Sequence, residues 1–236
     1  MAQIEIQAQA QYPWRTIVYI ESTFPNGLTV TGSGVIVGPN DVLTASHIVY
    51  NASYGGGATT VKVIPAYDPS PLETPYGTLF ASSSFIHYYT DFDPDGDGQI
   101  LPGNYGPGLG GSELDVALID LNTAIGDLTG SMGMDPNFEN GIVNVTGYPT
   151  VYGRNMMNDS GSVFDSDIDS ITYLNGIEVH PGNSGGPLWY SGNLGPYVIG
   201  IVSTEGWAEK WLRLFEQFSP IYKWTPGELR TVQSML

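Results

Sequence analysis

Short apolar stretches rich in Val, Ile, Thr and Tyr, each cut off by Gly, Pro, Asn or Asp, recur along the chain. Such segments suit strands, where β-branched and aromatic side chains fit a half-buried pleat. The pattern predicts strands over Trp14–Glu21, Leu28–Val37, Thr59–Tyr67, Leu114–Leu121, Ile142–Gly147, Asp169–Leu174, Pro187–Tyr190 and Tyr197–Ser203. Gly38-Pro39-Asn40-Asp41 reads as a turn between two of them. Helical spacing occurs over Trp207–Phe218, where Trp207, Trp211, Leu214, Phe215 and Phe218 share one face and Lys210 and Arg213 lie on the polar side. Many strands followed by one late helix predict an all-β sandwich or pair of barrels.

Composition narrows the chemistry. The 236 residues hold 24 acidic against 7 basic side chains, a formal net charge of −17. Nucleic acid is thereby excluded as a natural partner, because its phosphates need Lys and Arg. The same charge argues against an anionic membrane surface and favours cationic or neutral ligands. With 0 cysteines, disulfides, zinc–thiolate sites, iron–sulfur clusters and cysteine nucleophiles are all excluded. No run of apolar residues is long enough for a membrane-spanning helix. Met1-Ala2-Gln3-Ile4-Glu5-Ile6 lacks the basic and apolar regions of a signal peptide, so any targeting segment is expected to have been removed or to lie in a longer precursor. The 23 residues 91–113 contain 7 Gly and 3 Pro, too many for regular structure, and read as a surface insertion.

Gly182-Asn183-Ser184-Gly185-Gly186-Pro187-Leu188 is the segment that carries chemistry. A serine hydroxyl is a poor nucleophile until a base takes its proton, and acyl transfer also needs N–H groups aimed at the developing oxyanion. Glycines around a serine let the chain fold tightly enough to supply them. The pattern Gly-x-Ser-x-Gly also marks the α/β-hydrolase elbow, but that fold needs a histidine after its serine. The three histidines, His47, His87 and His180, all precede Ser184. The order His, Asp, Ser remains, with His47 in Thr44-Ala45-Ser46-His47 and Asp115 in Leu114-Asp115-Val116-Ala117-Leu118.

Together these segments resemble the trypsin-fold serine proteases, and Thr31-Gly32-Ser33-Gly34-Val35-Ile36-Val37 ahead of the histidine also fits that family. Val145-Thr146-Gly147-Tyr148-Pro149, and Asn183 before the serine, resemble the bacterial glutamyl endopeptidase branch. The resemblance implies two antiparallel six-stranded β-barrels with a C-terminal α-helix. Residues 1–125 would form the barrel with His47 and Asp115, and 126–236 the barrel with Ser184 and the helix. It implies that Ser184 attacks the scissile carbonyl, His47 shuttles the proton and Asp115 holds the imidazole, while the N–H groups of Gly182 and Ser184 form the oxyanion hole. Ser203 falls on the substrate-pairing strand and is placed to brace Asp115. With Asn183 in place of the Asp of vertebrate members, no salt bridge to a newly cleaved N-terminus is implied. A secreted, monomeric endopeptidase acting on peptides or proteins follows, bacterial and extracellular or periplasmic. The competing readings are a periplasmic quality-control protease, whose kind usually carries a further C-terminal domain, and a non-catalytic peptide-binding homologue, which generally loses a member of the triad.

Bland alternatives exist for each residue. Ser184 could be structural in a Gly-rich turn, and His47 a lone histidine after a strand. Asp120 lies on the same strand as Asp115, but five residues on, at period two, it faces the opposite way. His87 reads as a loop residue and His180 as a pocket-rim residue. By count from the serine, Glu178 falls at the floor of the primary specificity pocket, while Thr204 and Glu205 follow Ser203 on its wall. A carboxylate there leans toward Lys or Arg before the scissile bond. The family's Glu-specific members carry Gly-Ile-His, where this chain has Val202, which speaks against Glu preference. Finally, Asp93-Pro94-Asp95-Gly96-Asp97-Gly98-Gln99-Ile100 follows the opening of an EF-hand loop, making Asp93, Asp95, Asp97 and Gln99 candidate ligands of a structural Ca2+, with Asp91 a further donor. Position 12 of that loop is Asn104, not Glu, and no flanking helices are evident, so a solvated acidic turn is the alternative.

Overall fold

The computed structural model describes residues 2–70, 72–97, 100, 111, 114–135, 138, 140–164, 171–173, 176–203 and 207–210. They form two large sheets, antiparallel but for one short parallel pair, and two small two-stranded ribbons, as the strand-rich sequence predicts. In the first, the hydrogen-bonded order is Leu79–Ser82, Thr60–Pro65, Ile17–Thr23, Thr29–Ile36, Asp41–Thr44, Ala117–Asp120, Ile86–Tyr88. Leu79–Ser82 and Ile86–Tyr88 are separated only by the 3-10 turn Ser83–Phe85. One bent segment therefore pairs at both ends of the sheet and closes six strands into a barrel with no free edge.

The second sheet runs Met157–Phe164, Asn140–Gly147, Pro187–Gly192, Gly195–Val202, Trp207–Lys210, Ile171–Tyr173. Two short pieces add to these six. Ile4–Glu5 pairs antiparallel with Met157 and Asn158, and Gly133–Met134 pairs parallel with Tyr197 and Val198. The N-terminal segment thus crosses onto the second sheet. The 3-10 turn at Trp14–Thr16 precedes the first long strand, which starts at Ile17 instead of Trp14.

Burial follows the layering. Val143, Val145, Val163, Leu188 and Ile199 fill the second barrel. Tyr148, Met156, Trp189, Val198 and Ile201 join the core of the first barrel instead, so the faces between the barrels pack as continuously as either interior. Trp14 meets Trp189 edge-on at 5.4 Å, and the Trp189 indole donates to Thr146 Oγ1 at 2.9 Å, satisfying its one polar atom. Strands buried on both faces lose clean alternation, which is why Ile17, Val18, Tyr19 and Ile20 are all buried.

Three expectations change. Trp207–Lys210 is a strand, with Val202 opposite Ala208 and Gly200 opposite Lys210. Short apolar runs fit either period, and an open sheet edge offering backbone partners decides for strand here. The remainder of the predicted helix, 211–218, lies outside the described residues. His87 sits within Ile86–Tyr88 opposite Leu118, not in a loop. Met157–Phe164 escapes the hydrophobic pattern because Asn158, Asp159, Ser160, Gly161 and Ser162 interrupt it, yet it pairs along the full length of Asn140–Gly147.

Candidate active site

The strand Asp41–Thr44 ends in extended Ala45 and breaks at once into a single helical turn, Ser46–Val49. Ile48 and Val49 anchor that turn in the core, leaving the His47 side chain 23% exposed. Asp115 arrives from the neighbouring strand, since Ala117 pairs with Thr44 and brings the start of Ala117–Asp120 beside the helical turn. Asp115 is fully buried. Its Oδ2 lies 2.6 Å from His47 Nδ1, and its Oδ1 accepts the His47 backbone N–H at 2.8 Å. Ser203 Oγ donates to Oδ2 at 2.5 Å. A buried carboxylate is costly unless hydrogen-bonded, and this one has three donors. Because an ionised carboxylate only accepts, Nδ1 is the donor and Nε2 of a neutral ring is left to accept. Ser46 Oγ, adjacent to His47, donates to Val116 O at 2.6 Å and locks the two segments together.

The serine stands on a tight turn. Asn183 N–H donates to His180 O, Gly185 N–H to Val202 O at 2.7 Å and Gly186 N–H to Asn183 O. The N–H groups of Gly182 and Ser184, by contrast, have no protein acceptor among the described residues. Two glycines are required by space. Gly182, at φ +103°, would place a Cβ 2.5 Å from Tyr148 O, and Gly185, at φ +77°, would place one 2.2 Å from Thr44 Oγ1. Gly185 is therefore flush against the residues that lead into the His47 turn. Ser184 O accepts from Ser33 N–H at 2.8 Å. Ser184 Oγ makes no hydrogen bond among the described residues. Such bonds in unliganded sites often tighten only when substrate arrives.

Ser33 is a residue whose role the sequence left unread. Fully buried, it uses every polar group it has: Oγ donates to Gly182 O at 2.7 Å and accepts from Tyr148 N–H at 2.9 Å, N–H donates to Ser184 O, and O accepts from Thr44 Oγ1 at 2.8 Å. It ties the serine turn of one barrel to the histidine strand of the other. Gln3 is a second. Its Nε2 donates to Asn183 Oδ1 at 3.1 Å and Glu178 O at 2.7 Å, although 180 residues separate it from Asn183. Asn183 is fully buried, and its Oδ1 accepts from both Gln3 Nε2 and His180 N–H. The Thr-Gly-Ser-Gly segment was a signal for Ser33; nothing in sequence pointed to Gln3.

Glu178 and His180 lie together. His180 Nε2 is 2.5 Å from Glu178 Oε1, and Tyr152 Oη donates to the same oxygen at 3.0 Å. The hydrogen bond from His180, then that from Tyr152, holds the Glu178 carboxyl below its ordinary range. The carboxylate is thus already met from within the protein. Thr204, Glu205 and Gln99 lie outside the described residues. Asp93, Asp95 and Asp97 converge, one carboxylate oxygen of each within 4.8 Å of the others, with Asp93 buried.

The family model described as Trypsin matches residues 3–224. The chain belongs to the trypsin family. It is 26% identical over 182 residues to a glutamyl endopeptidase of Bacillus licheniformis, covering 75% of this chain and 49% of that protein. An extracellular metalloprotease of Bacillus subtilis is 27% identical over 210 residues, 85% of this chain and 60% of that protein. The chain therefore spans about half to three-fifths of these relatives. Among solved structures, a Glu endopeptidase superposes with a TM-score of 0.69 at 21% identity, covering 94% of this chain and 96% of that one. The protease Anisep from Arthrobacter nicotinovorans gives 0.68 at 20% identity, covering 89% and 96%. The all-β, two-barrel fold expected for the trypsin family is the fold observed, while the C-terminal helix of that expectation falls outside the described residues.

Proposed function

We propose that this chain is a serine endopeptidase working through His47, Asp115 and Ser184. Ser184 Oγ attacks the peptide carbonyl while His47 Nε2 takes its proton. The imidazolium returns that proton to the departing amine as the C–N bond breaks, and water then hydrolyses the ester on Ser184 by the same route. Asp115 holds Nδ1–H and stabilises the imidazolium. The unengaged N–H groups of Gly182 and Ser184 supply the oxyanion donors. One observation carries this reading: a fully buried Asp115 bonded to both the ring and the backbone of His47, beside a glycine-bounded serine turn with two N–H groups that have no acceptor among the described residues. The chain has no pair of histidines at the i, i+4 spacing of a zinc helix. A fluorophosphonate probe is expected to label wild type and spare Ser184→Ala. Turnover of peptide by His47→Ala is expected to fall by roughly 10^4-fold or more; near-normal turnover ends the assignment.

The name of the Bacillus subtilis relative, an extracellular metalloprotease, supports an extracellular site of action. Because His180 and Tyr152 engage Glu178, no preference for basic residues is proposed from it. Asp93, Asp95 and Asp97 are proposed to hold a divalent cation such as Ca2+, supported by their convergence and by the hard oxygen donors they present.

A further inference from the structure

One face of the strand Thr29–Ile36 runs from the serine turn into open solvent. Residues two apart on a strand share a face, so the face that presents Ser33 to the serine turn presents Thr31 and Thr29 beyond it. Across the sheet, Thr31 pairs with Glu21 and Glu21 with Lys62, while Ser33 pairs with Tyr19. Beyond Ser33, which is fully buried, Thr29, Thr31, Tyr19, Glu21 and Lys62 line a groove of about 590 Å³. Its floor is rigid. Tyr19 stacks on Tyr67 at 4.7 Å and meets fully buried Tyr148 edge-on at 5.7 Å. The far wall is Arg154, on the turn that follows Thr150–Tyr152. Thr150 N–H donates to Pro181 O, next to Gly182, so that wall is tied to the same serine turn.

The charge in this groove runs against the rest of the molecule. Two of the seven basic residues of a −17 chain, Lys62 and Arg154, line it together. Lys62 is partly offset by Glu21 at 3.7 Å. Arg154 forms no ion pair among the described residues, and Gly153 and Arg154 at φ +68° and +65° hold the backbone from which its side chain projects. A guanidinium is a five-donor fork that matches a carboxylate, and stacked tyrosines with threonine hydroxyls complete a surface for a peptide.

We propose that this groove binds an acidic side chain of the peptide being cut, with Arg154 as its principal partner and Lys62 as the second. The proposal rests on the endopeptidase reading for its context. Thr31 is about 7 Å along the strand from Ser33, so an extended peptide at Ser184 reaches the groove within about two or three residues of the scissile bond. The −17 field repels acidic peptides in general, so the groove selects among them by position.

Three series of fluorogenic peptides, identical around the cleaved bond and carrying Glu, Gln or Lys at one position at a time, two to four residues away on either side, read the effect. Wild type is expected to favour Glu over Gln in kcat/KM by about fivefold at one position and to lose that preference at high salt. Arg154→Gln should bring the ratio near one, Arg154→Lys should restore part of it, and Glu21→Gln should increase it by freeing Lys62. Equal cleavage of Glu and Gln peptides by wild type at every position, or an undiminished preference in Arg154→Gln, overturns the proposal. If no peptide is cut and the fluorophosphonate leaves Ser184 unlabelled, the endopeptidase reading has failed instead. Anisotropy of the labelled Glu and Gln peptides on Ser184→Ala then decides the groove alone: selective binding lost in the Arg154→Gln double variant supports it, and equal binding overturns it.

Discussion

Ser33 shows how much one buried hydroxyl can hold. Its Oγ joins Gly182 O and Tyr148 N–H, two backbone groups of the second barrel that have no water to fall back on. Removing it in Ser33→Ala leaves both unpaired at a cost of about 1–3 kcal/mol each in the unfavourable limit. The larger effect is expected in catalysis, because Gly182 carries one of the proposed oxyanion donors. We expect kcat to fall by about tenfold or more with KM little changed, and steady-state kinetics beside a melting curve separate the two effects. Unchanged kcat in a folded Ser33→Ala would show that the turn holds its shape without this link. The same logic accounts for Asn183: a buried side chain accepting from Gln3 Nε2 and His180 N–H fixes the residue before the serine without needing a counter-ion.

At the scale of the element, the strands Asp41–Thr44 and Ala117–Asp120 have the proposed catalytic pair beside one end and two facing carboxylates at the other. Asp41 stands directly opposite Asp120. Burial, with the Asp120 charge adding to it, pushes the Asp41 carboxyl from 3.8 up to about 6. A raised pKa in the folded state means the folded protein holds that proton more tightly than the unfolded chain does. The stability it brings is full below 3.8 and is lost as pH rises through about 6. Asp41→Asn is therefore expected to leave the melting midpoint near that of wild type at pH 3.5 and to raise it at pH 8, by the equivalent of about 1–2 kcal/mol after solvent screening. An equal midpoint for both proteins at pH 8 would contradict this. The strand at Trp207–Lys210 makes a related point. Its aromatic spacing reads as helix in isolation, and the ladder to Gly200–Val202 wins because a sheet edge left unpaired exposes a row of backbone groups.

For the molecule as a whole, two barrels share one continuous apolar seam, and the candidate site lies where Ser33, Tyr148, Gly182 and Thr44 cross it. A charge of −17 loads that scaffold with self-repulsion, concentrated where Asp93, Asp95 and Asp97 meet. A bound divalent cation would relieve it. Melting in excess EDTA is expected to lower the midpoint by several degrees, with recovery on adding Ca2+ and none on adding NaCl at matched ionic strength. An unchanged midpoint in EDTA removes the cation.

The local chemistry was legible in the chain. Eight strand segments and the short motifs around His47, Asp115 and Ser184 are written in residue type and local spacing, because a strand, a turn or a glycine-flanked serine is a pattern of neighbouring residues, although the three candidates themselves lie far apart in the chain. What depends on packing was not legible. The reach of Tyr152 to Glu178, the four-way engagement of Ser33, the reach of Gln3 to Asn183 and the cationic groove of Lys62 and Arg154 join residues far apart in the chain. Their partners are chosen by the closure of one barrel against the other, and no pattern along a single strand carries that information.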